Sequence, residues 1–320
     1  MPHMGSHASE TGTNTSMNFS FPSVRPAGPH RAVVPCSIAV VLIVVFGIYV
    51  LQAQTVQGSA SLFGVHLDEK ALSLLTEVEQ LYDKPIRAES LPVDDPMAGI
   101  SKVGDDGTPI ISINPSSGRR PDVIVHELYH FLLRTRGYPD IQWLFPETMD
   151  THETRPDFRQ ISFKLYDPIL HYVFYPEARA RLGIDPGERF EQMTRQALVD
   201  EAITPTLAGM DAGAIVLAYY RLRLELDDRK LFQQLVELLE NQGKHNEVAV
   251  GERLATIVER ASPLSPISAV NALVGCLNIF YEGRYTFVQR PWTQRQLGTH
   301  TQHIAPLELR VARATTSHGK

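Results

Sequence analysis

The chain has 320 residues, 36 acidic against 30 basic side chains and a net charge of −6. Its basic residues are scattered, so the electrostatic footprint of a nucleic-acid binder is absent and no nucleic-acid partner is expected. Of its two cysteines, Cys36 lies in an apolar run and Cys276 stands alone beyond it, which excludes a disulfide staple in the rest of the chain and a cysteine-based metal site.

Residues 1–31 lack periodicity and are expected to be a disordered cytoplasmic N-terminus. Ala32 to Leu51 contains no charged residue, and a run of that length is long enough to cross a bilayer. Arg25 and Arg31 precede it and no Lys or Arg follows until Lys70, so the positive-inside rule predicts a membrane-anchored chain whose remainder is exported, periplasmic or extracellular. The alternative is a signal peptide cut near Ala53 or Ala60, giving a secreted product.

Asp68 to Lys84 has Leu72, Leu75, Val78 and Leu81 at helical spacing. Turn signals at Asp94-Asp95-Pro96 and Gly104-Asp105-Asp106-Gly107 break the stretch Ile86 to Ile113 into short strands, the last being Thr108 to Asn114. Pro121-Asp122 then starts a helix containing Val125-His126-Glu127-Leu128-Tyr129-His130-Phe131. Residues four apart share a helix face, so His126 and His130 can aim ring nitrogens at one ion, and Glu127 can reach a water bound to it. Zinc lowers the pKa of such a water from about 15.7 to about 7, and a carboxylate beside it can move its proton. The uncharged flanks suit a helix buried beneath a cleft; the alternative is a pair of core histidines with no metal.

A catalytic zinc needs a third protein ligand. Downstream candidates are Glu147, His152, Glu153, Asp167, His171 and Glu177. Asp167 and His171 are four apart, with Pro168 between them either kinking one helix or opening a new one capped by Asp167. His171 is the first choice as ligand, with Asp167 as a ligand or as its orienting partner. Glu177 competes, although Tyr175-Pro176 before it reads as a chain break. The polar stretch Thr148 to Arg155 is a candidate for the cleft rim, and a residue there, or Tyr172 or Tyr175, is a candidate for polarising the substrate carbonyl.

Further helices are predicted from Asp185, over Ala212 to Leu226, Arg229 to Asn241 and Gly251 to Ala261, and a buried helix over Ala269 to Phe280. Residues 286–320 read as a polar surface tail, in which His300 and His303 could bind adventitious metal. The predicted class is α+β: a small sheet on the motif helix, then a mostly helical part, with residues 62–285 as the domain.

In its motif and its order of strand, loop and helix, the chain resembles the zincin metallopeptidases. The resemblance implies zinc as cofactor, His126 and His130 as ligands, Glu127 as general base and then acid, and a peptide or protein as substrate. It also implies that the strand before the motif helix forms the upper edge of the cleft and pairs with an extended peptide. The metzincin subclass is excluded, since Leu133 and Arg136 stand where its Gly and third His would be. The competing expectation is an exported zinc-binding or protein-interaction domain without turnover.

Overall fold

The computed structural model describes residues 61–311 apart from 96, 117, 147–150 and 200–208, with the backbone alone at 61, 151–157, 189 and 199. The class is α+β. A two-stranded ribbon, β1 (Ser61–Leu62) with β2 (Val65–His66), leads into α1 (Glu69–Tyr82). Asp68 caps α1 by accepting from the Ala71 N–H at 2.8 Å, and Ala71, Leu74, Leu75, Val78 and Tyr82 form its buried stripe.

Strands β3 (Arg87–Ser90), β4 (Gly99–Val103) and β5 (Pro109–Ile113) form a sheet of order β3-β5-β4, with β3 parallel and β4 antiparallel to β5. The strand leading into the motif helix is therefore central, which corrects the expectation that it forms the cleft edge. All five β5 residues are buried, as a doubly covered strand requires, whereas β4 alternates and lies at the edge. The motif helix α2 (Pro121–Thr135) packs on α1 and on β4. It has Pro121 in its first turn, and the left-handed Gly137 follows its end.

Strand β6 (Asp140–Leu144) follows, and then α3 (Thr151–Leu182), one helical segment of 32 residues. Pro168 and Pro176 lie inside it, so Asp167 is an interior residue rather than a cap and Tyr175-Pro176 is not a break. Leu165, Ile169, Phe174 and Ala178 are buried along this helix, and that packing outweighs the local cost of the prolines. The remaining helices are α4 (Glu188–Val199), α5 (Ala212–Glu225), α6 (Arg229–Asn241), α7 (His245–Ala261) and α8 (Pro266–Phe280). Ser265 and Ser268 close a capping box at the start of α8, whose buried face includes Val270, Leu273, Leu277 and Phe280.

Where a polar tail was expected, the chain forms β7 (Tyr285–Gln289), β8 (Thr293–Leu297) and β9 (His300–Val311), which join β6 in a second sheet. His300 is buried against Tyr82, ring centroids 4.5 Å apart, so it is a packing residue there. The expected membrane placement is also corrected: among the described residues no helix is long and apolar enough to cross a bilayer. The longest, α3, carries charged residues along its length, and residues 32–51, on which that expectation rested, lie outside the described residues.

The two sheets meet at their turns. Gly107, with φ +88°, faces Gly298, with φ +57°; a Cβ on Gly107 would lie 2.3 Å from the Leu297 carbonyl oxygen, and one on Gly298 would lie 2.4 Å from that of Asp106. Only glycine meets both the left-handed conformation and the backbone approach. Gly107→Ala is expected to cost roughly 1–3 kcal/mol from strain and overpacking, read as a lowered melting temperature beside a neutral substitution at the exposed Asp105.

Candidate metal centre and cleft

Helices α2 and α3 bring His126, His130, Asp167 and His171 together, one ligand atom from each, all within 4.8 Å of one another. The Nε2 atoms of His126 and His130 are 3.1 Å apart. Asp167 Oδ1 lies 3.5 Å from His130 Nε2 and 3.2 Å from His171 Nε2. Atoms bonded at 2.0–2.1 Å to one tetrahedral centre are separated by about 3.3 Å, so these three separations are those of donors around a single ion. The group could therefore hold a metal ion.

The buried edges of this site are built of aromatic rings. Phe174 places its ring centroid 5.4 Å from His126, 5.3 Å from His130 and 5.4 Å from His171, and it stacks on Tyr129 at 5.2 Å and 3°. Tyr175 stacks on the other side of His171 at 4.6 Å. Tyr175 is thus a packing residue and does not line the cleft; Tyr172 is on its outside too.

Glu225, at the end of α5, was not foreseen. Its Oε1 accepts from His171 Nδ1 at 2.7 Å, and its Oε2 accepts from Arg221 Nε at 2.9 Å. With the His171 proton on Nδ1, the Nε2 lone pair is left for a metal, and Nε2 is indeed buried without a hydrogen-bond partner. Its 3.2 Å approach to Asp167 is close but lacks hydrogen-bond alignment. An acidic side chain in a helix's last turn opposes the macrodipole. That misplacement, with Arg221 one turn before it, was the available signal for Glu225.

Electrostatics agree with this layout. Burial pushes His126 down to about 3, the charge on His171 adding to it, and burial with His126 holds His130 well below the usual imidazole range. Burial acts the same way on His171, but Asp167 and Glu225 outweigh it and raise it to about 9. Burial opposes ionisation of Asp167 as well, yet the imidazoles, His171 first, hold its carboxyl far below the usual range.

Glu127 is buried and lines a cleft of about 700 Å³ that also exposes His126, His130 and Asp167. Burial, then the Asp167 charge, lifts its carboxyl to about 7, with Ser101 and Arg134 opposing. A Cβ at Gly99 would lie 3.0 Å from Glu127 Oε1, so the edge strand presses directly on this carboxylate. Arg134, on α2, donates to the Ser101 carbonyl at 3.1 Å, to the Ser101 hydroxyl at 3.2 Å and to Asp140 at 3.3 Å. The opposite wall holds Trp143 of β6 and Phe163, Tyr166 and Leu170 of α3.

Glu177 is not in the site; it forms a two-bond ion pair with Arg136, at 2.6 and 2.8 Å, on the surface. Glu147 and the side chains of His152 and Glu153 lie outside the described residues. No family model, no curated protein and no solved structure matches this chain.

Because Glu225 orients His171, Glu225→Gln is expected to weaken metal binding by about 10–100-fold while leaving the ion-binding stoichiometry at one. Competition with a chromophoric chelator reads this directly, and an unchanged affinity would remove Glu225 from the site.

Proposed function

We infer that the protein is a zinc-dependent hydrolase acting on peptide bonds. The observation that carries the reading is the convergence of His126, His130 and His171 on one point, with His171 oriented by Glu225 and Glu127 beside them in an open cleft. Three imidazoles and a carboxylate are donors that suit zinc, and near-tetrahedral spacing favours it. The ion would supply a Lewis acid that polarises the scissile carbonyl and acidifies the attacking water.

The chain's own groups account for the rest. Burial makes Glu127 readier to hold a proton than an exposed carboxylate, which suits it to both halves of a proton transfer. It takes a proton from water as the water oxygen bonds to the carbonyl carbon, then delivers it to the amine nitrogen as the C–N bond breaks. His126, His130 and His171 would hold the ion, and the buried aromatic rings behind them exclude water from that side.

The edge strand supports a peptide as substrate. Bonds from Gly104 N to Thr108 O and from Asn114 N to Ala98 O bracket the β4–β5 ladder. By alternation, Gly99 and Ser101 direct their backbone groups away from β5, beside Glu127; the Ser101 carbonyl is taken by Arg134, so a partner strand would use the Gly99 groups and the Ser101 N–H. An extended chain can pair there, with its apolar side chains against Trp143, Phe163 and Leu170. One observation favours the competing reading of a zinc-holding domain without turnover: the site offers four donors, and a fourth protein ligand closes a zinc ion.

The test is metal content together with cleavage of a mixed peptide library followed by mass spectrometry. The parent is expected to hold one zinc and to produce cleavage products; Glu127→Gln should retain the zinc and lose about 10²–10⁴-fold in rate. His126→Ala should lose the metal. A parent that takes up no zinc sinks the reading, and one that holds zinc with no cleavage leaves the binding domain.

Metal binding should also depend on pH in a fixed direction. His171 carries a proton in the empty site up to about pH 9, and the ion must displace it. Apparent zinc affinity is therefore expected to rise by roughly tenfold per pH unit from pH 6 to 8 and to level off near 9. Proton release in calorimetry with buffers of different ionisation enthalpy measures the same event.

A further inference from the structure

The four donors are not equivalent. His171 is fully buried, and its ring is pinned by Glu225 on one edge and by Tyr175 on its face. His126 and His130 are wedged against Phe174. Asp167 lines the cleft with a side chain 13% exposed, as His126 and His130 also do, the latter at 12%, and as His171 does not. It differs from the histidines in what holds it. Among the described residues, its carboxylate has no ion-pair or hydrogen-bond partner besides His130 and His171 themselves. Nothing outside the donor set therefore holds this carboxylate in place.

We propose that Asp167 is a removable fourth ligand, which closes the ion in the resting protein and leaves it when a substrate oxygen enters from the cleft. This rests on the zinc reading above. The three histidines make the permanent base of a tetrahedron, and Asp167 Oδ1, at 3.2 and 3.5 Å from two of them, stands at its fourth corner. That corner is where an open catalytic position would be needed. Rotation of the Asp167 side chain toward the cleft exchanges one oxygen donor for another, so the ion keeps its coordination number and no charge is stranded in the apolar wall. The arrangement reconciles four donors with a reactive ion.

A ligand that needs the fourth corner binds with an apparent affinity reduced by the fraction of time the corner is free. The probe is acetohydroxamate, titrated calorimetrically into the zinc-loaded full chain, with parent, Asp167→Asn and Asp167→Ala compared after each is shown to hold one equivalent of zinc. Asp167→Ala is expected to retain zinc and to bind acetohydroxamate roughly tenfold or more tighter than the parent, with Asp167→Asn between them. Equal affinities in parent and Asp167→Ala would overturn the proposal, because Asp167 would then not compete for the position. Loss of zinc from both variants would overturn it differently, by making Asp167 a permanent ligand. A parent without zinc would instead remove the metal reading on which it stands.

Discussion

Phe174 sits where α2 and α3 touch, within about 5.4 Å of all three histidine rings and stacked on Tyr129 behind them. Because that ring excludes water, the imidazoles of α2 are held neutral, the form that can donate a lone pair. The same low-polarity wall makes every charge in front of it costly unless matched. Asp167, Glu225 and the His171 proton are the matching set in the empty site, and the ion would replace the last of these. The contact between two helices thus fixes both where the donors are and what state they are in.

The part of this site legible in the sequence was the part encoded locally. His126, Glu127 and His130 follow from helical periodicity, and Asp167 and His171 from the same four-residue spacing, even though Pro168 suggested a break there. Burial of Leu165, Ile169 and Phe174 keeps the helix continuous through it, a tertiary effect that no local rule contains. Glu225 lies 54 residues from His171, and such a pairing is visible only once α5 has packed on α3. The strands β7 to β9 were missed for another reason. In β8 four of five residues are exposed, so it lacks the alternation of a half-buried strand and reads as polar tail. The edge was assigned to the wrong strand because that expectation came from the zincin resemblance; the apolar run Pro109-Ile110-Ile111-Ser112-Ile113 is buried on both faces, as a central strand is, while β4 buries Gly99 and Ser101 and exposes Ile100, a pattern its residue types do not announce.

Arg134 links the chemistry to the architecture. Projecting from the motif helix α2, it is bonded to Ser101 of the edge strand and to Asp140 at the start of β6. Asp140 is in turn bonded to Gln302 of β9. One guanidinium therefore ties together the helix carrying Glu127, the strand pressing on it and the opposite sheet. Its positive charge also holds the Glu127 carboxyl below the value burial alone would set.

The glycine contact between Gly107 and Gly298 acquires a second meaning in this light. The cleft is bounded by β4 on one side and β6 on the other, and these strands belong to different sheets. Their separation is fixed in two places: inside the cleft by Arg134, which bonds to both strands, and outside it where two turns abut without side chains between them. The molecule resembles a pair of calipers, with the glycine contact as one of its stops. The gauge of the opening, and so the thickness of chain that fits between the jaws, therefore depends in part on the two smallest residues, away from the four donor atoms.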